Sequence, residues 1–241
     1  MTSPSEFVQS VLALQPRIAV FDCDGTLWAN NAGEEFFYWS MGDNQGTRIV
    51  SEKVADWARG RYADYVAGRV DEETMCGEMT SMYGGLRVSE LESAAEQFFN
   101  KNVAGNIFAE MRTLTHELAA QGCQLWAISS SNEWVIRAGL RDFPFPASNI
   151  LAATVVVEDG AATHNLIRVP TGPTKATAIR EFIAGPVDMV FGNSVHDAAM
   201  LEVARHSFAI NPNPDLEELA TKRGWRIYWP VVTGVASGGS R

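Results

Sequence analysis

Two aspartates one residue apart close a short apolar run in Arg17-Ile18-Ala19-Val20-Phe21-Asp22-Cys23-Asp24-Gly25-Thr26. Apolar residues giving way to polar ones and a glycine are the pattern of a buried parallel strand running into a loop. Like charges in such a place are costly unless a cation or protons compensate them. Mg²⁺, a hard cation that takes oxygen ligands and keeps positions open, would compensate Asp22 and Asp24. One carboxylate could then attack phosphorus while the other hands a proton to the leaving oxygen. An acidic, solvent-facing Asp-Gly turn is the other reading of the same residues.

Three further polar groups stand at the ends of apolar runs or at a helix start. Gln124-Leu125-Trp126-Ala127-Ile128-Ser129 reads as a strand, and Ser129 with Ser130 offers hydroxyls and main-chain N–H groups to a phosphate oxygen. Lys175 follows Pro173 at a helix start, where its ammonium could neutralise a phosphoryl group and an attacking carboxylate or simply sit in solvent. Val187 to Gly192 is a strand leading into Asn193-Ser194-Val195-His196-Asp197. Asn193 is an oxygen-ligand candidate there. Asp197 either orients metal-bound water and Lys175 or caps a helix.

The elements that must position these groups alternate. Ser3, Pro4 and Glu6 form a capping-box start for an opening helix. Helices are expected over Phe108–Gln121, Glu133–Arg141, Pro173–Ile183, from Asp197, and over Asp215–Arg223. Strands are expected at Val155–Gly160 entering a hairpin, at Ser207–Ile210 and at Arg226–Trp229. Alternation argues for a parallel sheet covered on both faces, with ligands at the carboxyl ends of strands where the order reverses. Residues 29–102 differ: polar, aromatic and helically spaced, with breaks near Gly42 to Gly46, Gly68 and Gly84-Gly85. The expected architecture is thus an α/β, doubly wound (Rossmann-like) parallel-sheet core over residues 1–28 and 103–241. A helical cap over 29–102 is inserted at the first strand end, and the tail from Gly234 to Arg241 frays.

Composition narrows the chemistry further. The 241 residues carry 19 basic and 29 acidic side chains, a net charge of −10, which disfavours nucleic acid as a partner. No run approaches the ~20 apolar residues of a membrane helix, and the opening residues lack a signal peptide's basic flank and apolar stretch. Cys23, Cys76 and Cys123 match neither a disulfide framework nor a zinc spacing. Cytoplasmic localisation is expected.

Taken together, Asp22 and Asp24, Ser129, Lys175, and Asn193 with Asp197 resemble the four motifs of the haloacid dehalogenase superfamily in their usual order. The insertion after the first motif, and the run Ala209-Ile210-Asn211-Pro212-Asn213-Pro214, look like its phosphoserine-phosphatase-like branch. The resemblance implies a Mg²⁺-dependent phosphomonoesterase acting on a small phosphorylated metabolite. Asp22 would be the nucleophile that becomes an aspartyl phosphate, and Asp24 the general acid and then base. Mg²⁺ would be held by the Asp22 carboxylate, the Asp24 main-chain carbonyl and Asn193. Ser129, Ser130 and Lys175 would hold the phosphoryl oxygens, and Asp197 would support the metal site from behind. One departure is Asn193, where an acidic residue is common, so weaker Mg²⁺ binding is expected. A phosphotransferase or mutase, a dehalogenase, and a catalytically weak binding protein of the same fold are the alternatives.

The same branch grips phosphoserine with a cap glutamate and a cap arginine, and those positions fall near Asn31 and Met79 here. Both grips are missing or shifted. The cap aromatics are expected mainly to pack its own small core. Trp28, Tyr38 or Trp39, with Glu34 or Glu35, are the candidates for facing the pocket and selecting an amine or apolar leaving group by cation–π contact. Arg48, Arg59, Arg61, Arg69 and Arg87 are expected in solvent, with one able to reach a substrate carboxylate.

Overall fold

The structure is a computed structural model that describes residues 2–231; the expected fraying tail lies outside them. Its frame is a seven-stranded sheet of β1 (Ile18–Phe21), β2 (Gln124–Asn132), β3 (Ile150–Glu158), β4 (Ala161–Arg168), β5 (Met189–Gly192), β6 (His206–Ile210) and β7 (Arg226–Tyr228). The spatial order is β4-β3-β2-β1-β5-β6-β7, parallel throughout except for the β3–β4 hairpin. The chain builds outward from β1 in one direction, then returns to its other side. The order therefore reverses at β1, the place where an open α/β sheet forms its crevice.

Strand alternation divides the interior in two. Ala19, Phe21, Met189, Phe191 and Phe208 point to one face, and Val20, Ile128, Val190 and Ala209 to the other. On the first face Phe21, Phe191 and Phe208 sit directly opposite one another on adjacent strands. Their rings stack at centroid separations of 4.3 and 4.7 Å. Each such pair contributes about 0.5–1.5 kcal/mol beyond its buried area, and a one-residue slip would send these rings to the opposite face. The ladder thus fixes the register that leaves Asp22 one residue past β1, its N–H bonded to Phe191 O at 2.9 Å.

Helices α1 (Pro4–Leu12), α6 (Ala109–Ala120) and α7 (Glu133–Gly139) cover the first face. The expected capping box starts α1: Ser3 Oγ accepts from Glu6 N, and Glu6 accepts from Ser3 N at 2.8 Å. Phe7 on α1 stacks on Tyr228 at 3.8 Å. Helices α8 (Pro173–Phe182), α9 (Ala198–Leu201) and α10 (Pro214–Arg223) cover the other face through Ile179, Met200, Leu201 and Leu216.

Between β1 and β2 the chain inserts α2 (Ala32–Ser40), α3 (Glu52–Val66), α4 (Glu72–Ser81) and α5 (Val88–Asn102). The breaks fall where glycines take positive φ: Gly42 at +86°, Gly68 at +71° and Gly85 at +91°. Buried Phe36, Tyr83 and Phe98 of this insertion join the same apolar cluster as the sheet's first face.

Several elements differ from their expected bounds; β2, expected to end at Ser129, runs on to Asn132, and β5 begins at Met189, two residues after Val187. β3 begins at Ile150, ahead of Val155, because its first residues pair with β2 at Ala127 and Ile128. The helix from Glu133 is α-helical only to Gly139 and tightens to a 3₁₀ turn over Leu140–Asp142. The helix expected from Asp197 is a 3₁₀ turn over Val195–Asp197 leading into the single turn of α9. There the Asp197 carboxylate folds back onto the main-chain N–H groups of Asn193 and Ser194.

Phe191→Ala is expected to lower stability by about 3–5 kcal/mol. Trp57→Ala, at an exposed insertion residue, should stay within about 0.5 kcal/mol of the parent. Urea unfolding of both variants checks the contrast.

Candidate active site

Asp22, Lys175 and Asp197 meet behind the carboxyl edge of the sheet. Lys175 Nζ donates to Asp22 Oδ1 at 2.7 Å and to Asp197 Oδ1 at 2.6 Å. All three side chains are buried, Lys175 to 2% exposure and Asp197 completely. Lys175 reaches the centre because Pro173 starts α8 with no N–H to satisfy, placing the lysine in its first turn. Asp197 Oδ2 accepts from Asn193 N at 2.8 Å and Ser194 N at 3.0 Å, which fixes the loop after β5. Thr26 Oγ1 donates to Asp22 Oδ2 at 3.0 Å. With Lys175 on one oxygen and Thr26 on the other, the Asp22 carboxylate cannot turn freely.

Burial raises the Asp22 carboxyl to about 7, with the Asp197 charge adding to it and Lys175 working against both. For Lys175 burial disfavours the ammonium, but Asp197 and Asp22 together outweigh it and hold the group above the ordinary lysine range. Asp24 is also pushed upward by burial, opposed by hydrogen bonds from Ser131, Trp28, Ala32 and Gly33. Two buried carboxylates and the partly buried Asp24 beside one buried ammonium leave the site short of positive charge.

The Asp24 carboxylate is held by both parts of the chain. Oδ1 accepts from Trp28 Nε1 at 2.7 Å and from Ala32 N at 2.9 Å; Oδ2 accepts from Ser131 Oγ at 2.5 Å and Gly33 N at 3.4 Å. Ala32 and Gly33 are the first turn of α2, whose unpaired N–H groups and dipole favour a carboxylate. Gly33 permits this approach, because a Cβ there would overlap Ser131 Oγ. Gly25 has φ +71°, and a Cβ on it would overlap the Asn193 amide. The Asn193 side chain is thereby pressed against the Asp24–Gly25 peptide.

Ser129, exposed to 2%, accepts from Ser131 N at 3.2 Å and keeps its own proton for a ligand. Asp22, Asp24, Ser129, Ser130, Lys175, Asn193 and His196 line one cavity of about 340 Å³. Six of these seven come from three separate strand ends, the seventh being Lys175. Glu34 lines a smaller adjoining cavity of about 100 Å³, between insertion and sheet.

The remaining specificity candidates lie elsewhere. Trp28 is fully buried against Phe99 and Phe143, and its indole serves Asp24 and does not face the cavity. Trp39 packs on Phe36 and Phe98. Tyr38 packs on Phe37 and Tyr62. Glu35 accepts both of its 2.9 Å hydrogen bonds from Asn30 Nδ2. The apolar interior shared by the insertion and the sheet absorbs the three aromatic rings. The cap arginines are likewise occupied: Arg59 by Asp43 and Asp56, Arg61 by Glu78, Arg69 by Asp64, Arg48 by Glu52, and Arg87 by Asp159 O.

Three contacts lie outside the residues singled out from the sequence. Ser131 had a signal, since alternation along Ser129-Ser130-Ser131 puts the outer two on one side. Thr26 also had one, at the end of the Asp-Gly-Thr run. Glu72 had none, because an acidic residue in the first turn of α4 reads as a helix-dipole partner.

The model of the haloacid dehalogenase-like hydrolases matches residues 19–202. The chain belongs to that family. Among its relatives is the Mycobacterium tuberculosis protein named "Probable phosphatase Rv3661", 28% identical over 221 residues covering 87% of this chain and 74% of the relative. The phosphoserine phosphatase SerB1 of the same organism is 25% identical over 222 residues, covering 87% and 69%. A crystal structure of a protein of unknown function from Bordetella pertussis Tohama I shares the haloacid dehalogenase-like fold. It aligns at a TM-score of 0.75 and 20% identity over 88% of this chain and 97% of its own. Among the described residues of this family member, no helix is long and apolar enough to cross a membrane.

Lys175→Met is expected to cost about 3–5 kcal/mol in metal-free buffer, because it strands Asp22 and Asp197 without a cation. Burial already raises the Asp22 carboxyl, and without the lysine it binds a proton more readily in the folded chain than in the unfolded one. Stability should therefore be lost as pH rises, with the smallest deficit near about pH 5 and a larger one near about pH 8. Denaturant titrations at both pH values check the sign.

Proposed function

We propose that this phosphatase hydrolyses small phosphorylated metabolites with Mg²⁺ and through a phosphoryl group carried on Asp22. The observation that carries the reading is the buried Lys175 bound to both Asp22 and Asp197 at the mouth of a polar cavity. Such a cluster is a poor stabiliser, and it holds a carboxylate in one orientation, as attack on phosphorus requires.

A nucleophilic carboxylate must be ionised, and Lys175 alone leaves Asp22 raised to about 7. That shortfall of charge fits a divalent cation. The Asp22 carboxylate, the Asp24 main-chain carbonyl and the Asn193 side chain supply hard oxygen donors of the kind Mg²⁺ takes. When bound, the ion supplies positive charge against the phosphoryl oxygens and the attacking carboxylate.

This chain's own residues do the rest. An Asp22 oxygen forms the new bond to phosphorus as the bond from phosphorus to the ester oxygen breaks, and Asp24 gives that oxygen its proton. Asp24, now a carboxylate, takes a proton from water as the water oxygen bonds to phosphorus. The Asp22–phosphorus bond breaks, releasing phosphate and restoring both aspartates. Ser129 donates to a phosphoryl oxygen, as do main-chain groups at Ser130, and Lys175 balances charge throughout. Trp28, Ser131 and the first turn of α2 keep Asp24 aimed at the leaving oxygen. A dehalogenase has no need of a proton donor at Asp24, so a second carboxyl lining the same cavity as Asp22 and pushed upward by burial favours phosphoester chemistry.

Asp22→Asn should abolish release of phosphate from p-nitrophenyl phosphate while leaving the circular dichroism spectrum unchanged; substantial residual turnover would refute the nucleophile assignment. Asn193→Asp adds a negative charge beside Asp22. It should lower the Mg²⁺ concentration for half-maximal activity by about tenfold, the scale of one charge-assisted contact, as read from Mg²⁺ titrations of both proteins.

A further inference from the structure

The small cavity of about 100 Å³ opens into the phosphoryl cavity, sharing Asn31, Tyr65, Glu72, Ser130 and Ser131 with it. If Asp22 attacks phosphorus, the leaving alcohol has this space to enter. Carboxylates on a surface are ordinary, but Glu34 and Glu72 wall an enclosed space whose other sides include Tyr62, Tyr65, Met75 and Met79. Among the described residues, neither has an arginine or lysine partner. Tyr62 Oη donates to Glu34 Oε1 at 2.6 Å, and Tyr65 Oη donates to Glu72. Asn31 Nδ2 reaches Glu34 at 3.0 Å, and Cys76 Sγ lies 3.7 Å from Glu72. All of these donors are neutral. Among the described residues the one basic side chain within 4 Å of either carboxylate is His196, whose Nε2 lies 3.9 Å from Glu72 and which is itself partly exposed.

A second feature points into the same space. Asn132 is exposed to only 4% and lines the small cavity. Its Oδ1 is spent on Val135 N at 3.1 Å, capping α7. No hydrogen bond among the described residues uses its Nδ2. That free half of the amide faces the small cavity and can donate to an oxygen on the same ligand.

The lining also lacks what a carboxylate would need. Among the described residues no arginine borders either cavity, and the one lysine there, Lys175, is committed to Asp22 and Asp197.

We infer that the small cavity is the leaving-group subsite and takes the ammonium of a small amino-alcohol phosphate, one without a carboxylate. The inference rests on the phosphatase reading and names its substrate class. Glu34 and Glu72 meet the ammonium, Tyr62 and Tyr65 shape the space with their rings while holding those carboxylates, and Asn132 Nδ2 donates to an oxygen of the ester. The expected selectivity therefore comes from carboxylates and tyrosines of α2, α3 and α4, and not from Trp28 or Trp39.

A matched set of phosphate monoesters tests this with the full chain and Mg²⁺. 2-Aminoethyl phosphate and 2-hydroxyethyl phosphate differ in an ammonium against a hydroxyl, O-phosphoserine adds a carboxylate, and p-nitrophenyl phosphate reports general phosphatase activity. The expected kcat/KM for the aminoethyl ester exceeds that for the hydroxyethyl ester by at least about tenfold, the scale of a charge-assisted hydrogen bond, and exceeds that for phosphoserine. In Glu34→Gln, Glu72→Gln and their double variant the aminoethyl-to-hydroxyethyl ratio should fall stepwise towards one. A ratio within one protein cancels any loss of folded enzyme. A wild-type ratio near one, a preference for phosphoserine, or an unchanged ratio in the double variant overturns the inference while p-nitrophenyl phosphate turnover leaves the phosphatase reading intact. No hydrolysis of any ester, p-nitrophenyl phosphate included, overturns both.

Discussion

The arrangement depends on a buried imbalance of charge. Lys175 is the only ammonium among Asp22, Asp24 and Asp197, and it bonds two of them directly. A cluster of this kind is a poor stabiliser, since desolvation consumes much of the attraction. What it supplies is orientation. Asp22 comes from the end of β1, Lys175 from the start of α8 and Asp197 from the turn after β5, so the three meet only when the sheet is in register. The stacked Phe21, Phe191 and Phe208 hold that register one residue below the charges. Apolar packing thus fixes the position of the polar groups.

The second aspartate joins the two parts of the chain. Asp24 accepts from Trp28 and Ser131 on the sheet side and from the first turn of α2 on the insertion side. The insertion also shares one continuous apolar cluster with the sheet. Its first turn therefore helps orient the proton donor, and α3 and α4 wall the space beside it. Proton delivery and leaving-group selection are built from neighbouring stretches of the same insertion.

Much of this was legible in the sequence, for identifiable reasons. The strand ends were visible because β1, residues 125–128 of β2 and residues 189–191 of β5 are short apolar runs followed at once by polar residues or glycine. That pattern placed Asp22, Asp24, Ser129 and Asn193 at one edge, and the helix start at Pro173 brought Lys175 with them. The breaks at Gly42, Gly68 and Gly85 marked the helices of the insertion because each glycine takes a positive φ. What could not be read was direction within the insertion. Trp28, Tyr38 and Trp39 have the composition of a ligand cage, yet the apolar interior that the insertion shares with the sheet must be filled, and those rings pack into it. Glu72 has the opposite history: its position in the first turn of α4 gives an ordinary local reason for a carboxylate. Only the packing of α4 against β2 and β3 turns it towards the cleft. Asn132 likewise reads as a helix cap, and it is one; the unused half of its amide becomes visible only in three dimensions.

The central claim is that the carboxylate fixed by Lys175 and Thr26 becomes the temporary carrier of the phosphoryl group. Rapid acid quench of the enzyme turning over p-nitrophenyl phosphate with Mg²⁺, followed by mass spectrometry of its peptides, tests this most directly. The account predicts one added phosphoryl group, located at Asp22 and gained only while substrate is being consumed. Steady turnover with the label on another residue, or with none on the chain at any quench time, would contradict it.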